Sequence, residues 1–533
     1  MHKLSRRTFL GRVAVTGGAI ALTRDLSALA QVPTPPPATG GTFPHGVACG
    51  QPTCTGITLW TLVGQLEQRS RLRLEVARDP GFANVVAAED VLAEPERNGT
   101  VHARLSGGPL VPGEQFFYRF ETMSTQSPVG RFRTSRPADS CEPVRIGFFS
   151  CQDYEQGFYT AHRDMAAQEL DLVVCLGDYV YEEPTDEEAL GRAHRPDTEL
   201  ATLADYRTRY NQYQTDADLI AMRQAHPLMA IWDDHEVDDN YSRGMSGDGN
   251  QNVGGIPFSD RQRNAYQAFF EHMPRIRNTS QPDLIYGSLS LGGNAELFLL
   301  DERQYRDDQP CGDMFGTVSC PEGIDDPGRT MLGPDQKRWL KDGLERSRAS
   351  WKVVANQVMF MSLDFPANNA INPDQWDGYA AERQELMRFL LDRDVQDVTV
   401  VTGDIHTFFA VQITPSGAEP DQAGAAATEF VGGSISSRGI ADTASRTPDD
   451  RALIADLSDA QVRVNNPHIV YSNQDVKGYA ILEMRADELL VEYRGVQNAR
   501  VPDSAVSTLQ RFRVARGTPR VEVLGPPLGG FPN

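Results

Sequence analysis

Short runs of apolar, often β-branched residues that stop at glycine or acid recur along the chain. Val173–Leu176 halts at Gly177, and Val398–Val401 runs into Thr402-Gly403; both are too short for helices and read as strands buried on two faces. Arg145–Phe149 and Met229–Trp232 have the same form, and Leu297–Leu300 and Trp351–Val354 add two more. Between these runs the apolar spacing changes to a helical period. Helices are expected within Phe158–Leu170, Tyr206–Gln214, Asp218–Ala225, Ser259–His272, Asp335–Arg346 and Glu382–Leu391. Tyr479–Met484 and Glu488–Tyr493 alternate like paired strands joined by a turn. Strands alternating with helices predict an α/β domain.

The pattern before residue 137 differs. Ile57–Leu62 reads as a strand, Leu72, Leu74 and Val76 alternate with polar partners, and Leu110-Val111-Pro112-Gly113 turns into Phe116–Tyr118 like a corner of a fibronectin-like sandwich. A small all-β, immunoglobulin-like domain is expected here, with the isolated His45 and His102 in structural roles. Five segments result: 1–30 as signal peptide, 31–42 as Pro-rich linker, 43–137 as β-sandwich, 141–495 as catalytic domain and 496–533 as a C-terminal segment. A length of 533 residues allows more than one domain, since single cores seldom exceed ~250–300 residues.

Composition narrows the partners. A net charge of -22 excludes nonspecific nucleic-acid binding, which needs basic surface. Ser5-Arg6-Arg7-Thr8-Phe9-Leu10, the apolar Val13–Leu22 and the small-residue Ala28-Leu29-Ala30 form a twin-arginine signal. The twin-arginine export machinery is therefore an expected partner, and the mature protein is expected to be periplasmic or secreted. Among seven cysteines, Cys49/Cys54 and Cys311/Cys320 are close enough in sequence to pair; Cys175 is expected buried and inert. Cys151 is either a thiolate ligand or a disulfide partner, with Cys141 as the nearest candidate.

Chemistry gathers where the apolar runs end. Asp178 is delivered at the carboxyl end of a buried strand, the usual ligand position in open α/β sheets, and a turn after it aims Tyr181 at the same point. The other runs end at Ser150-Cys151-Gln152-Asp153, at Asp233-Asp234-His235-Glu236 and at Asp404 and His406. Thiolate and phenolate favour Fe(III), whereas carboxylates suit hard Ca2+, Mg2+ or Mn2+. Two unlike metals bridged by Asp178 are the simplest account. Two cations roughly 3.5–4 Å apart clamp a phosphoryl group and activate hydroxide for attack, which points to phosphoester hydrolysis. His235, beside Asp234, is expected to assist the leaving alkoxide.

Ser150–Asp153, Gly177-Asp178-Tyr179-Val180-Tyr181, Trp232–Glu236 and Gly403-Asp404-Ile405-His406 together resemble the motif series of the PhoD family of alkaline phosphatases, within the calcineurin-like metallophosphatases. The resemblance extends to Phe43–Val47, Leu300–Arg306 and Thr330–Gly333. It implies a four-layer α/β/β/α sandwich preceded by the small β domain, and phosphomonoesterase or phosphodiesterase activity. It further implies Cys151, Asp178, Tyr181 and His406 on one metal and Asp178, Asp234 and Asp404 on the other. Fe(III) and Ca2+ are the expected cofactors, with Mg2+, Mn2+ or Zn2+ as alternatives, and His235 contacts the phosphate or leaving group. Asn356-Gln357 stands where the wider superfamily carries a further His ligand.

Two other functions fit parts of this pattern. A phospholipase D-like phosphodiesterase would take lipid head groups in place of small phosphoesters. A metal-binding adhesion or scaffold protein would use the strand-end ligands only for structure.

Overall fold

The computed structural model describes residues 34–186, 189–312, 316–364, 370–415, 424–444 and 448–525; the expected signal peptide and residues 31–33 of the linker lie outside them. The alternating N-terminal stretch folds as two small antiparallel sheets. One contains Val47–Thr53, Gly56–Leu62 and Thr100–Ser106; the other contains Val85–Ala93, Ser70–Ala77, Gln115–Glu121 and Gly130–Arg133. Phe116, Tyr118 and Phe120 point inward from one strand and meet Leu72, Leu74 and Val76 from its neighbour, which is the period of two made physical. The Pro-rich stretch was expected to act as a tether. From Pro37 it lies on this sandwich instead: Ala38 is buried, and its N–H donates to the Arg71 carbonyl at 2.8 Å.

Two seven-stranded mixed sheets follow, giving the four-layer α/β/β/α architecture. The first runs from Leu228–Ala230 through Leu172–Cys175 and Val144–Phe149 to Lys477–Met484, Glu488–Val496, Val506–Ala515 and Val521–Val523. The second is ordered Gly287–Ser290, Ala295–Leu299, Trp351–Ala355, Val398–Thr402, Ala427–Gly432, Phe408–Ile413, Ile469–Asn473. Side-chain alternation separates the layers. Val401, Phe408 and Ala410 join the core shared with the first sheet, whereas Val398, Val400, Phe409 and Val411 join a second core with Leu340, Leu344 and Leu386 of the helices Gly333–Arg346 and Ala380–Asp392. Burying each such aliphatic side chain stabilises the fold by roughly 1.5–3 kcal/mol. Residues 496–523, expected as a trailing segment, thus complete the edge of the first sheet.

From Pro37 onward the chain forms one compact unit. Trp60 Nε1 donates to the Glu271 carbonyl at 2.8 Å, His45 Nδ1 to Gln214 O at 3.1 Å, and His102 Nε2 to Met273 O at 2.9 Å. Burial pulls both histidines down to about 4, so each is a neutral structural donor. Cys311 and Cys320 are disulfide-bonded, while Cys49, Cys54, Cys141 and Cys151 are free. The Cys49/Cys54 pairing fails on geometry: Cys49 points into the sandwich from an extended strand and Cys54 sits in the turn after it, and extended chain advances ~3.3 Å per residue, beyond disulfide reach.

Candidate active site

Four strand ends meet because two glycines let them. A side chain on Gly177 would strike the Asp233 Cβ at 2.3 Å, and one on Gly403 would strike the Ser150 Cβ at 2.6 Å. The glycine in each Gly-Asp pair is therefore the contact point between neighbouring loops. Immediately after these contacts the backbone turns left-handed at non-glycine residues: Cys151 (φ 57°), Asp178 (53°), Asp404 (63°) and His406 (55°). Each such conformation costs on the order of 1–3 kcal/mol and persists where the surroundings impose it.

The donors converge accordingly. Cys151, Asp178 and His406 offer ligand-type atoms within 4.8 Å of one another. Tyr181 OH lies 3.3 Å from Asp178 Oδ2 and 3.4 Å from His406 Nε2, with Ser437 Oγ at 2.8 Å. His406 Nδ1 donates to the Arg438 carbonyl at 2.5 Å, so Nε2 presents its lone pair to the site; burial pulls this imidazole down to about 4 and keeps it neutral. Asp178 Oδ1 is buried without a hydrogen-bond partner. Burial pushes the Asp178 carboxyl and the Cys151 thiol well above their usual ranges, in the case of Asp178 against the opposing pull of the neighbouring His235 imidazolium.

Beside this group, Asp178, Asp234 and His235 form a second cluster, and Asp233, Asp234 and Asp404 a third. Asp234 Oδ1 accepts from His235 N at 3.1 Å and Oδ2 from Asn240 N at 2.8 Å; Asp404 Oδ2 accepts from Gln375 Nε2 at 2.8 Å. His235 Nδ1 is 2.8 Å from Glu182 Oε2, and its ring stacks on Tyr181 with centroids 4.3 Å apart. Burial opposes the imidazolium, but the Glu182, Asp234 and Asp178 carboxylates outweigh it and hold His235 well above its ordinary pKa.

All seven residues expected at the site, Cys151, Asp178, Tyr181, Asp234, His235, Asp404 and His406, thus stand together. The structure gives supporting roles to Glu236 and Arg303, which lie within the sequence motifs but had no role assigned, and adds Ser437, Glu182, Asp374 and Gln375. Gln357, where a further His ligand is absent, donates Nε2 to Trp232 O at 2.8 Å and Leu300 O at 3.0 Å, a packing role. A cleft of about 280 Å3 opens beside the donors and is lined by Asn240, Asp374, Asp404, His406, Arg438 and Ile440.

Glu236 holds two of the loops in place. Its buried carboxylate accepts from Asp178 N at 3.1 Å, Tyr179 N at 2.6 Å and Asp233 N at 2.7 Å. Glu236→Ala leaves three buried N–H groups unpaired and is expected to lower the unfolding free energy by about 3 kcal/mol or more. Urea denaturation checks this, and a loss below about 1 kcal/mol would show that water replaces the carboxylate without cost.

Two facing mixed sheets with carboxylate, imidazole, thiol and phenol at adjoining strand ends define a metallophosphatase, a class of phosphoester hydrolases. The family model for the PhoD-like phosphatase matches residues 146–493, and that for the PhoD-like phosphatase N-terminal domain matches residues 29–136. The chain belongs to the PhoD-like phosphatase family. It is 34% identical over 532 residues to alkaline phosphatase D of Bacillus subtilis (strain 168), covering 96% of this chain and 88% of that one. A solved structure of PhoD superposes with a TM-score of 0.82 at 32% identity, covering 93% of this chain and 95% of the other. A purple acid phosphatase from yellow lupin (Lupinus luteus) seeds shares the fold alone, with a TM-score of 0.55 at 12% identity over 87% of this chain and 74% of its own. The protein is an enzyme, a phosphoester hydrolase, and the scaffold alternative falls away. No helix among the described residues is long and apolar enough to cross a membrane.

Proposed function

We propose that this phosphoester hydrolase works with two unlike cations, one held by Cys151, Asp178, Tyr181 and His406 and the other by Asp178, Asp234 and Asp404. The observation that supports the reading is the partnerless, fully buried Asp178 Oδ1 among donors that converge from four strand ends, three of them with left-handed backbone at the donor. The donor chemistry divides as the two cations require. Thiol, phenol and imidazole suit Fe(III), and the three carboxylates suit Ca2+, with Mg2+, Mn2+ or Zn2+ as alternatives. Bound there, the cations supply Lewis acidity that acidifies a water and offsets phosphoryl charge.

The remaining work falls to the chain. The Glu182 contact at Nδ1 orients the His235 ring and supports its positive charge. Nε2, with Asp239 Oδ1 4.0 Å away, then passes its proton to the departing alkoxide, while Tyr181 braces the ring from one face. The cleft beside Asp404 and His406 receives the organic part of the substrate.

Purified exported protein, assayed for bound metals, with p-nitrophenyl phosphate, its bis-ester and phosphatidylcholine, tests the reading. Turnover of a small phosphoester that disappears on chelation is expected. Full turnover by metal-free protein would overturn the two-cation site, and phosphatidylcholine as the preferred substrate would move the enzyme to the lipid head-group diesterases. We also propose export by the twin-arginine route from Arg6-Arg7. Arg6→Lys with Arg7→Lys is expected to leave precursor in the cytoplasm by fractionation, and normal export of that variant would exclude the route.

A further inference from the structure

Arg303 lies at the centre of the acidic loops and is fully buried. It follows the strand Ala295–Leu299, and its backbone is tied down: Arg303 N donates to Asp301 Oδ1 at 3.3 Å, and the neighbouring Glu302 carboxylate accepts from Gln357 N and Val358 N, each at 3.0 Å. The guanidinium is held on two sides. Nε pairs with Asp233, and Nη1 makes bonds of 2.7 and 2.9 Å to the two oxygens of Asp374. Asp374 is itself fixed by Arg306 Nη2 at 2.7 Å.

One end of the fork remains. Nη2 stands 3.3 Å from Asp234 Oδ2 and 3.5 Å from Asp404 Oδ1, between the two carboxylates that, with Asp178, make up the second cation site proposed above. These two carboxylates come from different sheets. Asp234 follows Leu228–Ala230 of the first, and Asp404 follows Val398–Thr402 of the second. Like charges brought this close repel. A fixed positive charge between them offsets that repulsion before any cation arrives.

The contacts at Nη2 are long, whereas those at Nη1 are short. The anchors at Asp233 and Asp374 therefore keep the guanidinium from moving in and taking the cation's place. Full burial also excludes direct contact between Arg303 and a substrate arriving through the cleft.

We propose that Arg303 is a positioning residue for the second cation, holding Asp234 and Asp404 at the separation that a divalent ion spans. The proposal rests on the two-cation reading of the site. Lysine keeps the charge but has no planar fork, so it cannot reach Asp233, Asp374 and the two ligands together. Arg303→Lys is expected to weaken calcium binding about tenfold or more in calorimetric titration of the full-length mature enzyme, the range for partners of metal ligands. The content of the first-site metal is expected to be unchanged. Its kcat is expected to recover as calcium is raised, with KM at saturating calcium close to the wild-type value, which a general folding defect would not produce.

Asp404→Asn, measured in parallel, separates the two readings. If it weakens calcium binding while Arg303→Lys binds calcium as tightly as wild type or more tightly, the positioning role is overturned and the cation site stands. If neither variant changes calcium affinity, the cation site falls and this proposal falls with it. Should Arg303→Lys not fold, Asp374→Asn keeps the guanidinium and removes its bidentate anchor; the same weakening is expected, and an unchanged affinity overturns the proposal.

Discussion

Asp178→Asn is expected to lower kcat/KM by at least about a thousandfold, equivalent to about 4 kcal/mol of transition-state stabilisation, and to deplete both cations. The effect should be large because, in the two-cation site proposed above, one carboxylate serves both cations. Asp178 Oδ1 is buried without a partner, and Oδ2 faces Tyr181 OH at 3.3 Å. An amide keeps the shape but brings a neutral group and two N–H donors where acceptors are needed. The fold should survive, since the backbone is held by the Asp178 N bond to Glu236 and not by its side chain. Indeed, burial already pushes this carboxyl well above its usual range, so the metal-free variant is expected to be at least as stable as metal-free wild type at neutral pH. The sign follows from the raised folded-state pKa: the carboxylate destabilises the metal-free fold once the pH exceeds its unfolded pKa. Metal content and urea denaturation of the two apoproteins check these statements, and unchanged content of both metals would refute the bridging role.

How much of this site was legible in the sequence depends on how local each signal is. A buried strand that stops at Gly-Asp announces itself within six residues, and Asp178 and Asp404 were found that way. The glycines read at first as strand terminators prove to be contact points between loops, at Asp233 and Ser150, which only the folded chain reveals. Arg303 belonged to a recognised motif, Leu300–Arg306, but its role is defined by Asp233, Asp234, Asp374 and Asp404, as far as 101 residues away. No local pattern carries that information. Asp374 and Gln375 lie in an irregular stretch before the short turn Trp376–Tyr379, where periodicity has nothing to report.

The fold shows the same division. The sandwich and the central strands were readable because their apolar positions follow a period of two or form closed runs. The helix Pro448–Asn465 was not, because Leu453, Leu457 and Val464 face solvent at 60%, 63% and 75% exposure and blur its buried face. Val506–Ala515 escaped because arginines and glutamine occupy much of the strand: Arg511 and Arg513 pair with Glu492 and Glu488 of the adjacent strand, an ion-paired surface that reads as polar tail. A strand whose outer face is filled by cross-strand ion pairs shows its apolar alternation less plainly than the closed runs of the central strands.

The pair Cys151 and Tyr181 distinguishes this site from an all-carboxylate divalent centre, and it makes the identity of the first metal visible. If Fe(III) is held there, charge transfer from thiolate and phenolate gives the purified enzyme an absorption band in the visible range; zinc or calcium alone leaves it colourless. Tyr181→Phe is expected to shift or abolish that band while the His235 ring keeps an aromatic neighbour, since the stacking face at 4.3 Å survives the loss of the hydroxyl. Cys151→Ser is expected to lower iron content as well, because a serine hydroxyl is far harder to deprotonate than a thiol. The disulfide alternative for Cys151 does not compete with this reading, as Cys151 is a buried free thiol and Cys141 an exposed one. Ser437 supplies an internal control. Its Oγ lies 2.8 Å from Tyr181 OH and donates to the Cys151 carbonyl at 2.8 Å, so Ser437→Ala leaves both donor atoms in place and is expected to move the band without removing the iron. Colourless, iron-free enzyme with full activity would rule out Fe(III) at the first site and leave a two-cation hydrolase built on hard divalent ions at Asp178, Asp234, Asp404 and His406.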